Sequence, residues 1–170
     1  MKKPSTPLLF QPLALLDTVI RNRIWIPPMC QYSVEKRDGV PTSWHLMHYG
    51  SLARGGAGLV TVEATGVVPE GRITPQCMGI WNDEQALAFK AITDLIRSQG
   101  ATPAIQLAHA GRKASTLRPF PGEPQGNAPL DEGGWTPVAP SSIPFPGLGE
   151  PVQLDQAGIQ DVISAFVAGA

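Results

Sequence analysis

An α/β fold, with parallel strands inside and helices outside, is predicted by three observations. Short apolar runs rich in β-formers open near residues 23, 57 and 103, and each leads to a helical pattern further on. Their brevity and β-branched content argue strand rather than helix. Eight such units would need well over twice the 170 residues present, so the chain is either a small open α/β domain or the first part of a barrel. The absence of any stop signal in the terminal Val167, Ala168, Gly169 and Ala170 favours the partial barrel.

In chain order, residues 1–9 read as a disordered lead. Residues 13–26 alternate apolar segments around Asp17-Thr18 and Arg21-Asn22, which suggests a short hairpin feeding the first strand of the sheet. That strand, R-I-W-I, must end at Pro27 and Pro28, which lack backbone donors. Met29, Cys30, Gln31 and Tyr32 follow it, soft and polar groups just past the carboxyl end of a strand, where α/β folds keep their active sites. A plain strand-to-loop exit with a buried free thiol reads the same stretch equally well. Asp38-Gly39 marks a turn. A helix capped by Thr42 or Ser43 then runs through Trp44, Met47 and Leu52 to Arg54, and Gly55-Gly56 stops it.

The glycines of R-G-G-A-G follow a helix and precede a strand, the reverse of a phosphate cradle, so they read as a C-cap turn. Residues 57–64, A-G-L-V-T-V-E-A, form the second buried strand, and 65–81 a loop long enough to be functional. Asn82 caps the next helix, with Gln85 completing a capping box and Asp83 and Glu84 in the first turn. The apolar stripe of Leu87, Ala88, Ala91, Ile92, Leu95 and Ile96 makes this the clearest helix in the chain. Residues 103–108, P-A-I-Q-L-A, are the third buried strand; a buried Gln106 amide either satisfies neighbouring backbone or faces a ligand. About forty Pro/Gly-rich residues around Trp135 precede a last helix from Asp155, with Ile159, Val162, Ile163, Phe166 and Val167 on one face.

Composition narrows the function classes. The net charge of −1, with adjacent basic residues only at Lys2-Lys3, Lys36-Arg37 and Arg112-Lys113, gives no footprint for nucleic acid. No run approaches 18 apolar residues and no h-region follows the first lysines, so neither a membrane span nor an export signal is predicted. Two cysteines, Cys30 and Cys77, form no metal-ligand spacing and no secreted framework, so a cytoplasmic setting is expected. His45 and His48, at i and i+3, with His109 could in principle share a metal, but no acidic motif accompanies them and the helix places them outside the sheet. No metal site is predicted.

Four motifs, R-N-R-I-W-I-P-P-M-C-Q-Y, V-E-A-T-G-V-V-P-E-G-R-I-T, G-I-W-N-D-E and I-Q-L-A-H-A-G-R-K-A, stand in one order and spacing. Together they resemble the Old Yellow Enzyme family of flavin-dependent ene-reductases over roughly residues 10–170. Within it they are similar to the bacterial branch of xenobiotic-reductase-like and thermophilic-like enzymes, where a Cys replaces a Thr. The resemblance implies a partial (β/α)8 TIM barrel: the first three βα units plus the start of the next helix, in one incomplete domain over residues 1–170. It also implies FMN as cofactor, NADPH or NADH as reductant, and an enone or other activated alkene as substrate.

By matching positions, the resemblance implies that Pro27, Pro28, Met29 and Cys30 line the flavin, with the Cys30 thiol tuning its redox behaviour. Tyr32 would donate a hydrogen bond to a substrate carbonyl, Ala64 would approach the ring through its backbone, and Gln106 would pair with the pyrimidine edge of the ring. His109 and Arg112 match the family's H-A-G-R, holding the loop after the third strand. The family's carbonyl-binding His-x-x-His or His-x-x-Asn pair, a later flavin-contacting Arg and the phosphate site at the seventh and eighth strands match nothing in these residues. A missing carboxy-terminal half, or association of the chain with copies of itself, would have to supply them. The competing reading is a non-enzymatic remnant or binding module.

Overall fold

A computed structural model describes residues 6–170. Leu8–Phe10 form a single 3-10 turn, so the expected disordered lead does not extend that far; its first five residues lie outside the described residues. β1 (Leu13–Leu15) and β2 (Thr18–Ile20) make the expected antiparallel hairpin, turning through Leu16 at φ 50°. The central sheet has the order β3-β4-β5 and is parallel throughout: β3 is Trp25–Ile26, β4 Leu59–Gly66 and β5 Thr102–Ala108. Helix α1 (Ser43–Arg54) joins β3 to β4, and α2 (Asp83–Ser98) joins β4 to β5. Two strand-helix-strand units are thus complete. After β5 the chain runs through long loops and a two-residue parallel pair, β6 (Val138–Ala139) with β7 (Val152–Gln153), before α3 (Gln156–Gly169).

Local chemistry sets the helix boundaries as expected, except that the Gln85 carboxamide accepts from the Trp81 amide and donates to the Asp38 carbonyl rather than closing a capping box on Asn82. Asn82 accepts from the Gln85 amide and Asp155 from Gly158, each satisfying a first-turn donor. Thr42 and His45 form a reciprocal box at the start of α1. Gly55 caps the end of α1, and Gly56, at φ 101°, makes the reversal that a residue with a Cβ would resist. The Arg21 guanidinium ties these helix ends to the hairpin, donating to the carbonyls of Ala53, Ala57 and Gln99.

One core lies between the sheet and the two helices, built from Val60, Val62, Tyr49, Ala53, Met78, Phe89, Ile92 and Ile96. Close approach of α1 to α2 is allowed by Gly50, where a Cβ would stand 2.5 Å from Leu95 Cδ2. The buried faces are not those the apolar residues suggested. On α1, His45, Tyr49 and Ala53 point inward while Trp44 and Met47 are exposed. His45 therefore faces the sheet, correcting the expectation that the α1 histidines stand clear of it. On α2, Gln85, Phe89, Ile92 and Ile96 are buried and Leu87 is exposed.

Among the described residues β4 alone is a largely buried strand. Trp25 in β3 and Ile105 and Gln106 in β5 are exposed, which corrects the reading of all three as buried. The physical reason is the strand order: β3 and β5 are both edges, and among the described residues nothing packs across the sheet face turned away from α1 and α2 to match that helix layer. Residues 67–81 also depart from an open functional loop. Gly66 bridges Gly79 alongside the end of β4, and Val67, Thr74, Cys77 and Met78 are buried, so the segment packs as part of the sheet's rim.

Candidate flavin site

The expected site residues converge at the carboxyl ends of β3, β4 and β5. Pro27 and Pro28 end β3, and the chain passes through Met29, exposed, and Cys30, half-buried, to Tyr32. Tyr32 adopts φ 51°, a left-handed conformation costly for an aromatic residue, and its ring meets Phe120 edge-on at 6.0 Å. Ala64 and Gln106 are register partners in the parallel ladder, so their side chains leave the sheet on the same side. Pairing jumps from Val62 with Ile105 to Ala64 with Gln106, which leaves Glu63 as the extra residue of a β-bulge.

The bulge sets which side chains reach which face. Val62 and Glu63 are both buried beneath the helix layer, whereas strict alternation would send one of them to the opposite face. Past the bulge, Ala64 moves to the uncovered face. Gln106 beside it is exposed rather than buried, and its carboxamide makes no hydrogen bond among the described residues. The choice left open by the sequence therefore narrows: this amide satisfies no neighbouring backbone. Two donors and an acceptor are free to pair with a planar heterocycle bearing N–H and C=O groups.

Beneath this face lies a polar cluster of which the sequence pointed only to Gln31. Glu63 Oε2 accepts from the Gln31 amide at 2.6 Å, and Oε1 accepts from the Tyr49 hydroxyl at 3.0 Å, while that hydroxyl accepts from the Glu63 amide at 3.0 Å. His45 Nε2 stands 3.6 Å from Oε1. Glu63, Tyr49 and His45 are fully buried. An acidic residue inside the apolar run A-G-L-V-T-V-E-A was the available signal.

Electrostatics follow from this burial. Burial pushes the Glu63 carboxyl up, and the hydrogen bonds from the Gln31 amide and Tyr49 hydroxyl act against it. The Cys30 thiol is pushed up by burial first and by Glu63 second, and the Tyr32 phenol by burial and then by Cys30. Both groups stay protonated at neutral pH and can donate. Burial, with a smaller push from His48, lowers His45 to about 4. No group of three or more His, Cys, Asp or Glu side chains that could hold a metal occurs among the described residues. His109 instead accepts from the Gly111 amide through Nδ1, and Arg112 donates to the Ile143 carbonyl, so both tie down the loops after β5.

The low His45 value makes a prediction. With a folded value near 4 and an unfolded value near 6.5, the unfolded chain binds more protons between those limits. Stability therefore falls as pH drops through that window, by about 2 kcal/mol at pH 5 from this group alone. Glu63, with its folded value raised, acts in the opposite sense as it protonates. Denaturant midpoints of the full-length protein at pH 7 and pH 5 test this: His45→Gln should show a smaller loss than wild type, and equal losses would contradict it.

The family model described as the NADH:flavin oxidoreductase / NADH oxidase family matches residues 8–170. The chain belongs to that family. It is 44% identical over 163 residues to an NADPH dehydrogenase of Listeria monocytogenes serotype 4a, covering 95% of this chain and 43% of that protein. An NADPH dehydrogenase of Bacillus cytotoxicus is 42% identical over 163 residues, 95% of this chain and 42% of that protein. Among solved structures, an old yellow enzyme homologue from Zymomonas mobilis superimposes with a TM-score of 0.78 at 31% identity, covering 96% of this chain and 44% of that one. Morphinone reductase in complex with tetrahydroNAD gives 0.77 at 26% identity, covering 96% of this chain and 45% of that one. The chain thus spans less than half the length of the relatives it matches, as expected of a partial barrel. No helix among the described residues is long and apolar enough to cross a membrane.

Proposed function

We propose that the chain forms the amino-terminal part of an FMN-dependent, NAD(P)H-oxidising ene-reductase, contributing the first three βα units of a (β/α)8 barrel. The observation that carries this reading is the exposed, unpaired Gln106 carboxamide in register with Ala64, beside a loop that presents Cys30 and Tyr32. That set fits an isoalloxazine: the amide suits its pyrimidine edge, the small Ala64 leaves room for a flat ring, and the thiol supplies a weak donor. Pro27, Pro28 and Met29 would form the adjoining wall.

When bound, FMN would carry hydride from NADPH or NADH to an activated C=C bond. The chain's own residues do the rest. Gln106 fixes the ring's orientation, and Cys30, held as a neutral thiol, offers a hydrogen without adding charge. Tyr32, also neutral, would donate a hydrogen bond to the carbonyl oxygen of the substrate, which becomes more negative as the C=C bond is reduced.

The reading is tested on the full-length protein. Expected are a stoichiometric flavin identified by absorbance and mass, and NADPH consumption that depends on an enone and yields the saturated ketone. A colourless protein, or a flavoprotein that reduces no activated alkene, would overturn it.

A further inference from the structure

We propose that Glu63 is a positioning residue that anchors the 29–32 loop through the Gln31 amide and places a fixed negative charge behind Cys30 and Tyr32. Its relevance to hydride chemistry rests on the flavin reading above; its place in the fold does not.

The geometry carries the inference. Every polar group around the carboxyl group from both packed elements presents a hydrogen. From the loop after β3, the Gln31 amide donates to Oε2. From α1, the Tyr49 hydroxyl already accepts from the Glu63 amide, so its one hydrogen is free for Oε1. His45 accepts from the Thr42 amide at Nδ1, which puts its ring hydrogen on Nε2, the atom facing Oε1 at 3.6 Å. The hydrogens of the Gln31 amide and the Tyr49 hydroxyl both point at carboxyl oxygens, which favours the anion and offsets the burial that raises the group. With His45 neutral, nothing within this cluster cancels it.

The consequence lies on the other face of the bulge. A loop that has just left a two-residue strand has few ladder bonds of its own, and the Gln31 amide bond to Glu63 spans 32 residues of chain to fix it. The same carboxylate opposes formation of a thiolate at Cys30 and a phenolate at Tyr32. One buried side chain therefore anchors the loop that carries both donors and adds to the burial that opposes their ionisation.

The test uses the full-length protein stripped of cofactor, with the Cys30 peptide followed by mass spectrometry during iodoacetamide alkylation across pH. In Glu63→Gln, similar in shape but uncharged, the alkylation midpoint of Cys30 should fall by about one pH unit. A midpoint equal to that of wild type overturns the proposal. Should Glu63→Gln fail to fold, hydrogen exchange on the wild type still decides. The Gln31 amide should exchange at least roughly tenfold more slowly than an unbonded loop amide, and exchange at the free rate would refute the anchor. Neither measurement needs flavin. A protein that never binds FMN but shows both effects loses the ene-reductase reading alone, while a yellow protein with an unmoved Cys30 midpoint loses only the role of Glu63.

Discussion

Expressed by itself, the 170-residue chain will shed FMN on gel filtration and will elute as associated species rather than as a monomer. Two features of the structure lead there. The β3-β4-β5 sheet has two edges with unpaired backbone groups; Trp25 is exposed on its uncovered face and Ile105 along the β5 edge. Helix α3 has no buried residue at all, with Ile159, Ile163 and Val167 exposed. Open parallel edges beside apolar surface template association between chains. Flavin retention should fail for a separate reason. Phosphate groups are held by backbone donors at helix starts, and the resemblance puts that cradle at the seventh and eighth strands. Ring contacts from Gln106 and Cys30 remain, and a carboxamide pair plus one weak donor contributes only a few kcal/mol net. Gel filtration with simultaneous detection at protein and flavin wavelengths checks both outcomes at once. A monodisperse monomer that unfolds cooperatively and keeps its yellow colour would defeat the partial-barrel account.

Where the fold was legible, the signal was local. Asn82 with Gln85, Asp155, and Gly55-Gly56 fixed helix ends because caps act within four residues, and the Pro27-Pro28 pair fixed the exit of β3 because a missing donor cannot be supplied from elsewhere. Helix faces were harder. Trp44, Met47 and Leu87 look like core and are exposed, whereas His45, Gln85 and Tyr49 look polar and are buried. The sheet and its helix layer decide that, through contacts distant in sequence. Burial of β3 and β5 failed for the same reason: apolar runs report what a strand could cover, not whether a neighbour is there to cover it. Glu63 was the least legible of all. A bulge shifts the side-chain phase by one residue, and no periodicity in residues 57–64 reveals a shift that exists only in the pairing with β5. The site residues themselves stood out because four motifs matched a family in register, a signal that composition and spacing do not contain.

Cys30 and Tyr32 will separate into two different roles when each is changed in the full-length enzyme. Tyr32→Phe should lower kcat/KM for enones by about 10²-fold, since it deletes a donor to an oxygen that becomes charged only as the reaction proceeds. It should leave the flavin's reduction potential nearly unchanged. Cys30→Ala should do the reverse, leaving FMN bound because one weak hydrogen bond adds little beside ring and phosphate contacts, while shifting the potential through the electronics of the ring. The folded environment supports the division. Cys30 lies between the Ala64 backbone and the Tyr32 side chain, and the Tyr32 ring meets Phe120 edge-on. Phe at position 32 inherits the same strained φ and the same edge-on contact, so a loss of rate in that variant reports the missing hydroxyl rather than a moved loop. Side-by-side potentiometric titration and steady-state kinetics decide it: a potential unmoved by Cys30→Ala makes the thiol a packing group, and full enone activity in Tyr32→Phe removes the phenol from the chemistry.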